Sequence, residues 1–226
     1  MSTSPGDLPA GLTVKKALTQ IEPVVSAYPK AAMFALAEAG YSSLFEQLIS
    51  CILSIRTYDE VSLPAAKRLF SKARTAAAIA QLPLTDLEAL ITPCTYAERK
   101  ASQIQAIAQQ VVEQYGDELP ADAAVLQGFK GVGPKCAHLA LGISTGQPYI
   151  SVDTHVHRVV NRWGVVETKT PEKTLQALEQ QVPRDIWVDI NRILMPFGKR
   201  ICTTVPRCSD CPVRQGCQQV GVTRTR

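Results

Sequence analysis

Leu-Gln-Gly-Phe-Lys-Gly-Val-Gly-Pro-Lys-Cys-Ala-His-Leu-Ala-Leu, residues 126–141, is the most diagnostic segment of the chain. Gly131 and Gly133 flank a single apolar residue, Val132, between two stretches of helical character. Pro134 can begin a helix because the first turn does not use its missing N–H. The pattern predicts two helices joined by a glycine turn, with backbone N–H groups at a helix N-terminus that can bind a phosphate. A tight helical hairpin without any ligand is the alternative.

Lys135 follows this turn directly, in the first turn of the predicted second helix. The positive end of the helix dipole and the apolar neighbours both disfavour an ammonium group. They are expected to lower the pKa of Lys135 from about 10.4 toward neutrality. A neutral amine is a nucleophile. A solvated surface lysine is the alternative reading of this residue.

Asp153 precedes a second informative helix, predicted for residues 154–163 and ending before Gly164. A carboxylate at this position is typical of an N-cap, which accepts hydrogen bonds from the first N–H groups of the helix. The same carboxylate can also face a cleft, so capping and catalysis do not exclude each other. His155 lies in the first turn of this helix, where it can bind a ligand, cap or pack.

Helical signals dominate the remaining sequence and predict an all-α fold. No convincing alternating strand pattern is present. The predicted start signals are the capping boxes Ser43-x-x-Glu46 and Thr85-x-x-Glu88 and the Thr170-Pro171 pair, and the predicted stop signals are Gly116 and Gly164.

Seven cysteines divide into two sets. Four of them lie within 16 residues near the C-terminus and predict one tetrahedral sulfur site, for zinc or for an iron–sulfur cluster. The other three stand alone among apolar residues and are expected to be core thiols in a reducing compartment. The first set is Cys202, Cys208, Cys211 and Cys217, and the second is Cys51, Cys94 and Cys136.

Length and charge set broad limits. The 226 residues suit one large domain or two small ones, and the net charge of +4 permits a polyanionic partner without requiring one. No stretch approaches the roughly 20 apolar residues that cross a bilayer. The N-terminus lacks the pattern of a secretory signal. The sequence therefore predicts a cytoplasmic protein without a membrane partner.

Taken together, these motifs resemble endonuclease III, in the iron–sulfur branch of the helix-hairpin-helix superfamily of DNA glycosylases. Residues 129–137 resemble the hairpin of that family, Val152–Arg158 its valine-aspartate-threonine-histidine run, and the terminal cysteines the order of its cluster ligands. The resemblance implies a two-lobed all-α fold. A six-helix barrel would take residues 33–146 and a cluster domain residues 13–32 and 147–220, with residues 1–12 and 221–226 flexible.

The resemblance also implies roles. Lys135 would be the catalytic nucleophile and Asp153 its carboxylate partner, and the four terminal cysteines would hold a [4Fe–4S] cluster. The implied function is a bifunctional DNA glycosylase and AP lyase of base excision repair that removes oxidised pyrimidines. A monomer would act on nucleoid double-stranded DNA with damaged or abasic nucleotides. The hairpin residues Gly131, Val132 and Gly133 would contact that DNA.

Three features depart from the family pattern, at Arg56, at Tyr96 and in the spacing before Cys208, and a fourth residue, His155, matches the pattern but has an open role. Arg56 replaces the family's glutamine, which enters the gap left by a flipped base. The alternative is that Arg56 is a surface residue that contacts a phosphate. Tyr96 lies in a loop without the expected glycine and tyrosine and could be the wedge instead. His155 matches a residue near the orphaned base. Only five residues separate Cys202 from Cys208, which leaves Arg207 as the single basic residue of a shortened loop. These changes predict retained chemistry with altered lesion choice.

Three other functions remain open at the level of sequence. An adenine-mismatch-type monofunctional glycosylase shares the hairpin, aspartate and cluster but lacks the lysine found at Lys135. A non-catalytic helix-hairpin-helix module with a zinc staple would bind DNA without reacting. An iron–sulfur electron carrier would have no use for the glycine hairpin.

Overall fold

The computed structural model describes residues 7–8 and 12–226, which divide into two compact units. One unit runs continuously over Ala31–Gln147, and the other combines the chain up to Lys30 with Pro148–Arg226. Most of the segment 1–12, expected to be flexible, lies outside the described residues. The assignment of the units as a six-helix barrel and a cluster domain stays a prediction.

The continuous unit is helical throughout. Ser43 caps the helix Leu44–Ser54 as predicted, since its hydroxyl accepts from the Glu46 N–H while the Glu46 carboxylate accepts from the Ser43 N–H. Gly116 ends the longest helix in a left-handed conformation. The helices are α2 (Ala32–Glu38), α3 (Leu44–Ser54), α4 (Asp59–Lys72), α5 (Ala76–Ala80), α6 (Leu84–Ile91), α7 (Ala97–Tyr115), α8 (Ala123–Gly128) and α9 (Pro134–Thr145).

Helices α3 and α9 form the centre of this unit. The apolar face of α3 is buried along almost its whole length, and α9 packs against it. Cys51 of α3 and Cys136 of α9 are buried as expected but form a disulfide. The prediction of three free core thiols is therefore wrong for this pair and correct for Cys94, which is buried and free. The 85 residues that separate the two cysteines hide the pairing from sequence.

The discontinuous unit brings an N-terminal helix together with the C-terminal third of the chain. Trp163 and Phe197 lie at its centre with their ring centroids 6.3 Å apart. Short 3-10 turns at Arg184–Ile186, Cys208–Asp210 and Arg214–Gly216 complete it. Its regular elements are the two-residue antiparallel strands β1 (Asp7–Leu8) and β2 (Leu12–Thr13) and the helices α1 (Val14–Val25), α10 (Thr154–Trp163), α11 (Pro171–Gln181) and α12 (Trp187–Arg200).

The all-α prediction is confirmed, and most predicted helix signals lie where expected. Helix α10 ends at Gly164 in a left-handed conformation, and Thr170 caps α11 ahead of Pro171. The capping box at Thr85 is wrong: it predicts Asp86 as the first helical residue, whereas α6 begins two residues earlier, at Leu84, directly after Pro83. The fixed φ of proline already sets the start of the helix there, which places Thr85 inside the first turn. Among the residues described, no helix is long and apolar enough to span a membrane.

Candidate nucleic-acid site and metal centre

The glycine turn between α8 and α9 is exposed at its tip and anchored from below. Phe129 and Val132 are buried, whereas Gly131 and Gly133 are exposed. Gly131 has φ +81, and a Cβ there would lie 2.7 Å from Nε2 of Gln103. The left-handed backbone conformation favours glycine at this position, whereas the Gln103 contact involves only the movable end of that side chain.

The turn presents fewer free donors than its sequence suggests. The Val132 N–H donates to the Phe129 carbonyl at 3.1 Å, so it is not available to a ligand. Gln103 Nε2 donates to the Lys130 carbonyl at 2.7 Å and holds the turn from α7. Gly133 is the N-cap of α9 and Pro134 its first residue, as predicted. The exposed face of this helix start suits an anion in geometry and dipole.

Lys135 occupies the second position of α9 and is half-buried. Its Nζ lies 4.0 Å from Sγ of Cys51, one half of the disulfide whose other half, Cys136, is the next residue along the chain. The amine is thus partly shielded from water and sits at the positive end of a helix.

Arg56 and Tyr96 lie together in the same unit, on the two loops that depart from the family pattern. Arg56 follows the end of α3 with φ +54, and Tyr96 begins α7 with φ +61. The Arg56 guanidinium lies 5.6 Å from the centroid of the Tyr96 ring, within cation–π range. Arg99 approaches the same ring at 5.8 Å. The two candidate wedge residues therefore lie side by side on one cationic and aromatic surface.

In the discontinuous unit, Asp153 is the N-cap of α10, as expected. Its Oδ1 accepts from the N–H groups of His155 and Val156, both at 2.8 Å. The side chain is half-buried, and both of these bonds end on the same oxygen. A capping carboxylate held in this way is fixed in orientation, which is compatible with a second role at a reacting group.

His155 packs against α12 rather than standing free. Its Nδ1 lies 3.1 Å from the Arg158 guanidinium, and a Cβ on Gly198 would lie 2.8 Å from the Cβ of His155. Burial lowers the pKa of His155, which favours its neutral form. These contacts support the packing role left open by the sequence.

The four C-terminal cysteines line one pocket, with Trp163 and Phe197 at its base. Burial raises the pKa of Cys211 to about 12, and the neighbouring thiols add to the shift; the pKa values of Cys208 and Cys217 are raised for the same reasons. In residues 7–8 and 12–226, no three potential ligand side chains converge closely enough to hold a single metal ion.

The chemistry of this donor set fits an iron–sulfur cluster. The Gln219 N–H donates to Cys217 Sγ at 3.3 Å and Arg162 Nη1 to Cys202 Sγ at 3.5 Å. Bonds of this kind to thiolate sulfur are typical of cluster sites. Arg207 is exposed at the rim of the same pocket. The residues present therefore fit the group implied by the resemblance.

Three residues of these sites carry no signal in the sequence. Gln103 supports the glycine turn, Lys100 bonds to the loop that carries Arg56, and Arg162 donates to the carbonyls of the cysteine segment at Thr203 and Thr204. Each lies on an amphipathic helix where a polar residue is common. Their partners lie 27 to 45 residues away, beyond the reach of any local pattern.

Comparison with known proteins gives a consistent set of matches. The family model HhH-GPD, described as "HhH-GPD superfamily base excision DNA repair protein", matches residues 49–184. Endonuclease III of Thermotoga maritima is 40% identical over 175 residues, which cover 77% of this chain and 82% of that protein. Endonuclease III-like protein 1 of Bos taurus is 39% identical over 177 residues, covering 76% of this chain and 58% of that protein.

Solved structures agree with the sequence matches. A non-covalent endonuclease III–DNA complex superposes with a TM-score of 0.73 at 28% identity, covering 89% of this chain and 95% of that one. A trapped endonuclease III–DNA covalent intermediate gives the same score and identity. A thermostable thymine-DNA glycosylase, at 20% identity and a TM-score of 0.72, shares the fold.

Proposed function

The chain belongs to the endonuclease III family within the HhH-GPD superfamily of base excision DNA repair proteins, and we propose that it is a bifunctional DNA glycosylase and AP lyase. Its substrates would be oxidised pyrimidines in double-stranded DNA. The observation that carries this proposal is the half-buried Lys135 at the N-terminus of α9, directly after an exposed glycine turn. The adenine-mismatch alternative lacks that lysine.

The reaction begins with extrusion of the damaged nucleotide, because the glycosidic bond is inaccessible inside a duplex. The Lys135 Nζ attacks C1′ of the sugar with its lone pair, and the damaged base leaves with the bonding electrons. Asp153 accepts a proton from the amine or stabilises positive charge on the sugar as that bond breaks. One of the similar solved structures is a trapped covalent intermediate between endonuclease III and DNA, which supports a covalent route in the family.

Strand cleavage uses the same amine. Loss of the base leaves Nζ bonded to C1′. The C1′–O4′ bond then breaks, O4′ takes up a proton, and the resulting imine between Nζ and C1′ acidifies the protons on C2′. Removal of one of these protons expels the 3′ phosphate by β-elimination, and water then releases the lysine. One side chain thus accounts for base excision and for nicking.

The binding surface would combine backbone and side-chain contacts. The exposed N-terminus of α9 at Gly131 and Gly133 binds a DNA phosphate, with Val132 as the buried anchor of the turn. Arg56 and Tyr96 face the gap in the duplex, and Arg207 meets a phosphate beside the cysteine pocket. His155 would lie near the orphaned base. A monomer acting on nucleoid DNA in the cytoplasm completes the proposal.

We also propose that Cys202, Cys208, Cys211 and Cys217 hold a [4Fe–4S] cluster, with zinc as the alternative. Four thiols around one pocket, together with N–H donors aimed at two of the sulfurs, support this choice. When bound, the cluster would cross-link residues 202–217 and take no part in bond breaking. The segment has little regular structure of its own that could replace this link.

Borohydride trapping tests the lyase chemistry. The imine should be reduced to a stable adduct between the native protein and abasic-site DNA, and Lys135→Gln should form none. Lys130→Gln is the matched control, because it removes the same charge from an exposed position five residues earlier. An adduct with Lys135→Gln, or none with the native protein, would exclude this role for Lys135.

A further inference from the structure

Lys100 is a buried cation that the proposed reaction does not use. Its side chain on α7 is only 5% exposed, and Nζ donates to the carbonyls of Leu53 and Ile55, at 2.7 and 2.8 Å, and to Thr57 Oγ1 at 2.9 Å. An ammonium group has three N–H donors, so these acceptors can use all of them. Burial lowers the pKa of Lys100, and a buried charge is tolerated only when it is bonded in this way.

The three acceptors surround Arg56. Helix α3 ends at Ser54, and the carbonyls near its C-terminus lack helical partners and attract a cation. Arg56 itself has φ +54, a conformation that residues with a side chain rarely adopt. Ile55 and Thr57 are its two chain neighbours, so Lys100 holds the backbone carbonyl on one side of this strained residue and a side-chain hydroxyl on the other.

The same contacts reach the second loop. Thr57 Oγ1 also accepts from the Thr95 N–H at 3.1 Å, and the next residue, Tyr96, is again left-handed, with φ +61. One hydroxyl therefore joins the loop that carries Arg56 to the loop that carries Tyr96. Lys100 lies one turn into the helix that Tyr96 begins, so the ammonium ties both loops to α7.

These two loops carry an unusual share of exposed apolar surface. Ile55 is 38% exposed, Tyr58 79% and Tyr96 51%. Aromatic and apolar side chains at the tips of fixed loops can enter an opened base step, and aromatic rings stack on bases of any sequence. The arginines beside Tyr96 add positive charge, which suits DNA rather than a protein surface.

We propose that Lys100 is a positioning residue that holds Arg56 and Tyr96 as one preformed wedge for the gap left by a flipped nucleotide. The proposal rests on the proposed function for its DNA partner. Lys100 does not touch DNA; it removes the conformational freedom that the two loops would otherwise lose on binding. Its loss should weaken recognition of abasic DNA and spare the bond-breaking step.

The hydrogen bonds of Lys100 and Thr57 that join the two loops are called the clamp. Hydrogen exchange of the protein without DNA tests the clamp independently of DNA binding. Thr57→Val keeps the side-chain shape and removes the shared hydroxyl, Thr57→Ser restores it, and Lys100→Met removes the ammonium. Amide exchange in residues 54–58 and 92–97 should rise about tenfold in Thr57→Val and Lys100→Met and stay unchanged in Thr57→Ser. Unchanged exchange in Thr57→Val would overturn the clamp, even if Lys100→Met fails to fold.

Binding and rate measurements then test what the clamp is for. Thr57→Val should bind a duplex containing a tetrahydrofuran abasic analogue about tenfold more weakly, with binding of undamaged duplex unchanged. Its cleavage rate on abasic-site DNA at saturating concentration should stay within about twofold of the native rate. If Thr57→Val shows faster amide exchange in the two loops but binds the analogue with native affinity, the positioning role is overturned. A native protein that neither prefers the analogue nor cleaves abasic DNA would overturn the proposed function instead, and hydrogen exchange would still decide the clamp.

Discussion

Two groups of cysteines in this protein are brought together in different ways, one by short sequence spacing and the other by helix packing. Cys202, Cys208, Cys211 and Cys217 are neighbours in sequence and line one pocket built largely from irregular chain. Cys51 and Cys136 are 85 residues apart and meet only because α3 packs against α9. The first group is visible in the sequence because short spacing brings thiols together in almost any fold. The second pair depends on helix packing that no local pattern records.

The largest predicted effect comes from the sequence-local group. Under the proposed [4Fe–4S] assignment, Cys211→Ser should abolish the binding of iron and sulfide and the brown colour that such a cluster gives, and the discontinuous unit should lose its cooperative thermal transition. Structural metal sites in small domains contribute on the order of 10 kcal/mol of folding free energy. Metal and sulfide analysis with circular dichroism melting would measure both. A colourless native protein that contains zinc would instead establish the zinc alternative.

The distant pair should have the second-largest effect. Cys136→Ser removes a cross-link that closes a long loop, and the chain-entropy model gives about 4.5 kcal/mol for a loop of this size. Thermal melting should fall accordingly, with the visible absorption unchanged. Peptide mapping under non-reducing conditions should recover residues 51 and 136 in one cross-linked fragment. Recovery of both cysteines as free thiols would show that the Cys51–Cys136 disulfide does not form.

Arg162 tests how far the cysteine segment depends on the rest of its unit. Its guanidinium donates to the carbonyls of Thr203 and Thr204 and to Cys202 Sγ. Arg162→Lys keeps the positive charge but loses the planar group that can donate to all three acceptors at once. We expect a loss of about 2 kcal/mol of stability and faster bleaching of the cluster by a chelator. Arg214→Lys, on an exposed arginine of the same segment, is the matched control. Equal bleaching in the two variants would show that the thiols alone set the stability of the site.

Cys94 belongs to neither group and should have the smallest effect. It is buried and free, and Cys94→Ala should cost about 1 kcal/mol without changing the colour or the cross-link. Burial raises the pKa of Cys94, so the folded thiol keeps its proton to higher pH than the unfolded one. Its contribution to stability is therefore complete below about pH 8.5 and falls as the pH rises above it. Unfolding in denaturant at pH 7 and pH 9.5 should show a smaller pH dependence for Cys94→Ala.

Sequence patterns predicted the helices well where a single residue sets the backbone. The Ser43 capping box, Gly116 and Gly164 lie where expected because caps and left-handed glycines act within a few residues. The Thr85 box failed because Pro83 already begins the helix. Such short-range signals also limit what the sequence predicts about the site. Asp153 was predicted to be an N-cap from its own neighbours, whereas the roles of Lys135 and Asp153 in catalysis stay predictions.

The sequence by itself determined the helical elements, the glycine turn, the position of Lys135 at a helix N-terminus and the cluster of four cysteines. All of these depend on residues a few positions apart, whose geometry follows from backbone propensities. Only the tertiary structure decided the Cys51–Cys136 bond, the Lys100 clamp and the meeting of Arg56 with Tyr96. These contacts join residues 40 to 85 positions apart, and they form only when the buried faces of different helices pack together.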